Sequence, residues 1–177
     1  SMATITNATT NNSGIYTVTI TDGNNCTATA TTTLTINPLP TASLQGSTVC
    51  LNEPLTLTVN TNATNYIWSE GSTTASQTVN TSTAGNQVYT VTVTNTNNCT
   101  NTATTQVIVN DLPTANIQGS TVCLGETMTL NVNTNATNYI WSEGATTASQ
   151  VVNTAIAGNQ VYTVTVTNAN NCTNETY

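Results

Sequence analysis

Cysteine is the residue type whose spacing in this sequence could do chemistry. The five cysteines form two series with a period of 73 residues, which are Cys26, Cys99 and Cys172, and Cys50 and Cys123. Thiols in such a pattern form disulfides in an oxidising compartment or bind a metal. The sequence has no C-x-x-C pair, no histidine and no run of clustered carboxylates. Disulfides are therefore the favoured interpretation, and we predict no metal site.

The pairing of these cysteines has two solutions. One pair per repeat favours bonds within a repeat, Cys50 with Cys99 and Cys123 with Cys172, which leaves Cys26 without a partner in this chain. Each such bond would stabilise its repeat by about 4 kcal/mol through loop entropy. In a strict seven-strand sandwich, however, the two cysteines of one repeat lie at opposite ends. A bond between neighbouring repeats, Cys50 with Cys172, is therefore the alternative.

Few residues of the chain are of types that commonly act in catalysis. The chain has no Lys, Arg or His, so the usual general bases near neutral pH are lacking. The seven carboxylates are isolated from one another in sequence: Asp22, Glu53, Glu70, Asp111, Glu126, Glu143 and Glu175. A carboxylate pair assembled by the fold, as in glycosidases, is less favoured than solvated surface acids. We predict no catalytic residues and no cofactor, and hence not an enzyme.

The charge balance excludes several partners. The net charge is −7 and no residue is basic, so the chain cannot neutralise phosphates, and we expect no nucleic-acid binding. Attraction to an anionic membrane surface fails for the same reason, and no apolar run is long enough to span a bilayer. Without lysine, a Lys–Asn isopeptide brace cannot form.

Asparagine and threonine offer sites for modification. Several N-x-S/T sequons occur, and the candidate glycosylation sites in a suitable secretory host include Asn7, Asn62, Asn80, Asn98, Asn135 and Asn171. Most sequons are expected by chance in a sequence so rich in asparagine and threonine. O-linked glycosylation of threonine is an equally open alternative.

An internal repeat of 73 residues organises the chain. TASLQGSTVCLNEPLTLTVNTNATNYIWSEGSTTASQ starts at Thr41 and returns as TANIQGSTVCLGETMTLNVNTNATNYIWSEGATTASQ at Thr114. We predict three repeats: the C-terminal part of one at 1–38, a complete one at 39–111, and one lacking its last strand at 112–177. Proline-bearing connectors, NPLP and NDLP, separate them. We expect the chain to be a slice of a longer array.

Alternation of apolar and polar residues predicts β-strands throughout. In YTVTVT the side chains of Tyr89, Val91 and Val93 should point inward, while the threonines point outward. Seven short strands are predicted in the complete repeat: Ala42–Gly46, Leu55–Asn60, Tyr66–Ser69, Thr73–Ala75, Gln77–Asn80, Gln87–Thr94 and Thr102–Val109. Short strands with a turn every eight to twelve residues are typical of a sandwich. The two tryptophans, Trp68 and Trp141, are interpreted as core residues rather than as platforms for sugar stacking.

These motifs carry a resemblance. A Cys before the second strand, the pattern Y-x-W-S-x-G-x-x-T, and G-x-x-Y-T-V-T-V-T ending in N-x-N-N-C resemble the Ig-like and PKD-like repeats of Bacteroidetes surface and secreted proteins. Those proteins include large adhesins and cargo of the type IX secretion system. The resemblance implies tandem Ig-like antiparallel β-sandwich domains in a linear array, located outside the cell or at its surface. It specifies the fold and not a ligand.

The leading functional hypothesis is a structural or adhesive segment of the stalk or fibre of a secreted or cell-surface adhesin, stabilised by disulfides. Its partners would be neighbouring repeats, copies of itself in a fibre, or surface glycans. One alternative is a filament subunit that polymerises by strand complementation. Another is a glycan- or ice-binding module that uses outward threonine rows, Thr90, Thr92 and Thr94 and Thr163, Thr165 and Thr167.

Overall fold

The computed structural model describes residues 2–177, and these residues form an all-β protein. A single 3₁₀ turn, Thr10–Asn12, precedes the first strand. The strands of the described chain are β1 Gly14–Thr21, β2 Thr27–Leu34, β3 Ser47–Cys50, β4 Thr56–Thr58, β5 Asn65–Trp68, β6 Ser76–Thr78, β7 Gly85–Thr94, β8 Thr100–Asn110, β9 Asn116–Ile117, β10 Met128–Asn133, β11 Asn138–Trp141, β12 Ser149–Val152, β13 Val164–Thr167 and β14 Thr173–Thr176.

Strand pairing confirms the prediction of an Ig-like all-β fold, with mainly antiparallel sheets and one parallel pair, β3 with β8. Residues 1–38, the first repeat, contribute the hairpin β1–β2. Residues 39–111, the second repeat, form one sheet in the order β3-β8-β7-β5 and a second of β4 and β6. Residues 112–177, the third repeat, form sheets in the orders β12-β10-β9 and β11-β13-β14. The repeat boundaries themselves stay predictions.

The chain divides into two compact units by contacts. Unit 1 comprises the residues up to Gln45, Leu57–Gln77 and Tyr89–Thr105, and unit 2 comprises Gly46–Thr56, Thr78–Val88 and Gln106–Tyr177. Long strands of the second repeat, β7 and β8, run from one unit into the other. The boundaries of the compact units therefore do not coincide with the boundaries of the 73-residue repeats.

In unit 1, the predicted inward side chains form the core. Trp68 is 2% exposed, Tyr89 is 4% exposed, and Val91 and Val93 are fully buried. The indole Nε1 of Trp68 donates a hydrogen bond to the carbonyl oxygen of Thr74 at 2.9 Å, so burial leaves this polar group satisfied. The interpretation of Trp68 as a core residue is confirmed.

In unit 2, the third repeat repeats this arrangement. A buried cluster is formed by Leu130, Val132, Trp141, Val164 and Val166. The Nε1 of Trp141 donates to the carbonyl oxygen of Thr147 at 2.9 Å. Since the two tryptophans occupy the same environment one period apart, each marks the core of its own repeat.

The strands of the second repeat differ from the predicted ones at three places. Predicted strand Ala42–Gly46 is reduced to one bridge, between Ser43 and Asn60. Thr73–Ala75 forms bends instead of a strand, because the Thr74 hydroxyl bonds locally to the carbonyl oxygen of Ser76 at 2.6 Å. Strand β3 was not predicted. It pairs in parallel with the end of β8, a partner about sixty residues away, and local alternation cannot show such a pairing.

Candidate functional site

The disulfide joins consecutive repeats rather than the cysteines of one repeat. Cys50 of the second repeat is bonded to Cys172 of the third, with 122 residues of sequence separation and 5.5 Å between the Cα atoms. Both cysteines belong to unit 2. The favoured pairing, Cys50 with Cys99 and Cys123 with Cys172, is therefore wrong. The alternative bond between neighbouring repeats, Cys50 with Cys172, is the one observed.

The length of β8 explains why the pair within a repeat does not form. This strand begins at Thr100, the residue after Cys99, and ends at Asn110, which pairs with Cys50. Eleven residues in a β-strand span about 35 Å. A disulfide requires Cα atoms less than about 7 Å apart, so these two cysteines are out of reach of each other.

Three thiols are free. Cys26 and Cys123 are exposed, and Cys99 is half-buried. The Sγ of Cys99 lies 3.9 Å from the carbonyl oxygen of Asn37. Cys123, in contrast, borders a groove of the third repeat.

Each of the three N-N-C turns is organised by one side chain. The Oδ1 atom of Asn168 accepts hydrogen bonds from the backbone N–H groups of Asn170 and Cys172, each at 3.0 Å. Asn171 adopts a left-handed φ of 60°, which asparagine tolerates. The same bonds form around Asn95 in the second repeat and Asp22 in the first. This side chain thereby fixes the direction in which the cysteine leaves the turn.

The same asparagines also hold the connectors between repeats. The Nδ2 of Asn95 donates to the carbonyl oxygen of Pro38 at 3.0 Å, and that of Asn168 donates to the carbonyl oxygen of Asp111 at 3.0 Å. A second pair of asparagines bonds the two buried prolines of the connectors: Asn101 to Pro40 at 2.8 Å and Asn174 to Pro113 at 2.9 Å. Sequence reasoning missed these four asparagines. Their recurrence at the 73-residue period was the available signal.

An open groove marks the third repeat. It measures about 490 Å³ and is lined by the segments 119–124 and 156–162, by Met128 and Leu130, and by Tyr177. The counterparts of its lining residues in the second repeat are more buried. Tyr89 is 4% exposed where Tyr162 is half-buried, and Val49 is half-buried where Val122 is 39% exposed.

The six asparagines named as candidate glycosylation sites are all exposed. Asn62 and Asn135 each accept a hydrogen bond from the backbone N–H of a threonine through Oδ1, at 2.8 Å. Asn7, Asn98 and Asn171 lie at positive φ. Glycosylation of any of the six stays a prediction.

The threonine rows are less exposed than alternation predicted. All six side chains of Thr90, Thr92, Thr94, Thr163, Thr165 and Thr167 are half-buried. The hydroxyl of Thr90 lies 3.0 Å from that of Thr104 on the neighbouring strand, and the two share a hydrogen bond. These rows are therefore partly engaged in the sheet.

Two further observations concern the described chain as a whole. Residues 2–177 contain no group of three or more Cys, Asp and Glu side chains arranged to hold a metal ion. Within the same residues, we find no helix with the length and apolarity needed to cross a membrane.

Comparison with known proteins gives similarity at the level of solved structures alone. No protein-family model matches the chain, and no curated protein matches it. Titin domains I67–I69 are 10% identical, with 95% of this chain and 74% of that chain covered and a TM-score of 0.45. The fibronectin(III)-like modules of Clostridium thermocellum CbhA are 10% identical, with coverage of 76% and 88% and a TM-score of 0.36.

The four N-terminal Ig domains of Dscam1 isoform 7.44 are 18% identical over 60% of this chain, with a TM-score of 0.35. This chain spans 29% of the length of that Dscam1 structure. The solved structures that resemble the chain are thus Ig and fibronectin-III-like domains.

Proposed function

We propose that this chain is a load-bearing segment of an extracellular stalk or fibre, of the kind built from Ig-like repeats in Bacteroidetes-type adhesins. The observation that carries the proposal is the Cys50–Cys172 disulfide. A bond within one repeat would stabilise that repeat alone. A bond from one repeat to the next links them covalently at a second point besides the polypeptide connector.

The connectors support the same role. Pro40 and Pro113 are fully buried, and each carbonyl oxygen accepts a hydrogen bond from an asparagine amide. Proline fixes its own φ, and buried prolines restrict how a connector can move. A connector held in this way transmits force instead of acting as a free linker.

The chemistry of the disulfide supports an extracellular or surface location. Structural disulfides persist in oxidising compartments and are rare where cellular thiols keep cysteines reduced. The surface is built from threonine, asparagine and serine, and the chain contains no lysine or arginine at which trypsin-like proteases cut. Both properties suit a protein exposed to the medium.

Single-molecule pulling on the two ends of the chain tests the proposal. With the disulfide intact, the polypeptide between Cys50 and Cys172, which are separated by 122 positions in sequence, should stay hidden from the applied force. Reduction should release about 440 Å of additional contour length, at roughly 3.6 Å per residue. The matched variants are Cys26→Ser/Cys99→Ser/Cys123→Ser, which keeps the bond, and Cys50→Ser/Cys172→Ser, which removes it.

The first variant should show the hidden length and its release on reduction. The second should extend fully under both conditions. A total extension that reduction leaves unchanged in the first variant would mean that the two cysteines are not linked under load, and the proposal would fail.

A further inference from the structure

Strand β3 of the second repeat ends at the residue that carries the disulfide. β3 is the edge strand of its sheet and pairs in parallel with the end of β8 over four positions, the last of which sets Cys50 opposite Asn110. The backbone N–H of Leu51 extends this ladder by one step, since it donates to the carbonyl oxygen of Asn110 at 2.8 Å. Cys50 is therefore joined to β8 by the ladder and to the third repeat by its bond to Cys172.

The parallel direction of the two strands determines how the ladder meets tension. The chain enters β3 at Ser47 and leaves β8 at Asn110, and these two residues lie at opposite ends of the ladder. Tension along the chain therefore pulls the two strands past each other, and the evenly spaced hydrogen bonds of the ladder are strained together. In a strand pair that is loaded at adjacent ends, the same bonds would open one after another. The geometry of β3 and β8 thus resists tension with several hydrogen bonds at once.

The disulfide changes the route that tension takes through the second repeat. With the bond intact, tension that reaches β3 passes from Cys50 directly to Cys172, and β8 lies outside the route. After reduction, the route follows the polypeptide through the rest of the repeat, so β3 and β8 must hold together against sliding. The end of β8 is firmly anchored for this task, because Val107 and Val109 are 0% and 2% exposed.

We propose that the Cys50–Cys172 disulfide is a redox switch that selects which joint of the second repeat carries tension. The covalent bond carries it in the oxidised chain, and the β3–β8 ladder carries it in the reduced chain. This inference rests on the proposed role of the chain in bearing load, and it adds a second joint that keeps the repeat closed when the first is lost. Both joints meet at Cys50, so a single chemical event transfers the tension from one to the other.

An external dithiol such as dithiothreitol operates the switch by thiol–disulfide exchange. One thiolate of the reagent attacks a sulfur of the protein bond, which releases one cysteine and leaves a mixed disulfide on the other. The second thiol of the reagent then displaces that cysteine and closes a cyclic disulfide. The two released cysteines take up the two protons that the reagent loses. The protein disulfide is thereby reduced to two thiols, and the dithiol is oxidised.

Alternation along β3 provides a matched pair of substitutions. In a parallel pair, every second residue of a strand bonds to its partner. The N–H of Leu51 faces β8, whereas the N–H of Cys50 faces away and donates to the carboxylate of Glu53 at 3.0 Å. By the same alternation, the N–H of Val49 faces β8 and that of Thr48 faces the open edge. Because proline lacks an N–H, it removes a ladder bond at Val49 and none at Thr48.

The experiment holds the full chain by its two ends under constant force and measures how long the second repeat stays closed. The other thiols are removed by Cys26→Ser/Cys99→Ser/Cys123→Ser. In dithiothreitol, opening of the ladder should lengthen the chain by about 230 Å, at roughly 3.6 Å for each residue between Ser47 and Asn110. The third repeat carries no substitution in its strands, and its own opening is the internal reference.

The proline variants test whether the ladder bears the tension in the reduced chain. Val49→Pro should shorten the lifetime of the closed second repeat about tenfold, since a ladder bond is lost and its acceptor is left unpaired. Thr48→Pro should leave this lifetime unchanged. Ile108→Pro removes a donor from the β8 side of the ladder and should act like Val49→Pro, so the test does not depend on one variant. Circular dichroism and tryptophan fluorescence establish which variants are folded.

The oxidised chain and a core variant distinguish a joint under tension from a contact that only stabilises the repeat. Without dithiothreitol, the ladder lies outside the route of tension, and neither proline substitution in β3 should change the length of the chain under force. Leu57→Ala truncates a core side chain of β4 that is 4% exposed and lies outside the ladder. It should lower resistance to urea at least as much as Val49→Pro does, yet shorten the lifetime under force far less.

Equal lifetimes of the Val49→Pro and Thr48→Pro chains in dithiothreitol would overturn the proposal. So would an effect of Leu57→Ala on the lifetime as large as that of Val49→Pro, because the ladder would then be one stabilising contact among others. Either result removes the switch alone, since the hidden length released on reduction does not depend on the ladder. If reduction releases no hidden length, the role in bearing load fails, and the switch fails with it.

Discussion

At the residue scale, a single asparagine in the N-N-C turn of the second repeat, and another in that of the third, makes two kinds of hydrogen bond, one with its side-chain oxygen and one with its side-chain nitrogen. The Oδ1 of Asn95 accepts the hydrogen bonds that close the N-N-C turn, and its Nδ2 donates to the connector at Pro38. Asp22, the counterpart in the first repeat, closes its turn equally well. A carboxylate has two acceptor oxygens and no donor, so the turn needs only an acceptor, whereas the connector needs the amide.

We therefore expect Asn95→Asp to preserve the turn and weaken the connector. The lost donor places a carboxylate oxygen against the Pro38 carbonyl oxygen, which should lower the free energy of unfolding by about 1–3 kcal/mol. Urea denaturation followed by tryptophan fluorescence measures the loss. The matched control is Asn97→Asp, which adds the same charge to the same turn at an exposed side chain. Equal effects of the two substitutions would show that charge, and not the connector bond, is responsible.

At the element scale, β8 determines the structure of its neighbours. It lies between β3 and β7 in the second repeat, and the corresponding segments of the third repeat are irregular although their sequences are nearly the same. Strand formation at these positions thus depends on a central partner and not on local propensity.

This dependence explains which parts of the fold the sequence could predict. Alternation identified Tyr89, Val91 and Val93 as core residues, because period two is a local property of a half-buried strand. β3 and the groove were not predictable from alternation, since both depend on a strand distant in sequence. The disulfide partner of Cys50 likewise depends on the length of β8 and on the topology of its sheet, which local alternation does not reveal. The rule of one cysteine pair per repeat predicted the wrong bond, Cys50 with Cys99. The observed bond, Cys50 with Cys172, is the one predicted from the opposite ends that the two cysteines of a repeat occupy in a seven-strand sandwich.

Hydrogen exchange can measure the contribution of β8 position by position. Amides of 47–50 and 85–90 in the second repeat should be protected, whereas those of 120–123 and 158–163 should exchange much faster, because they lack the central ladder. The comparison is internally controlled, since the paired segments are near-identical in sequence and lie in the same molecule. Equal protection in the two repeats would show that the flanking segments are ordered without a central strand.

At the scale of the whole molecule, the charge opposes any association between copies. Each chain carries a net charge of −7 with no compensating basic residue. Copies therefore repel one another at long range, and ion pairs between side chains cannot offset this repulsion. A sequence without lysine and arginine gains no ionic contacts in exchange for this repulsion.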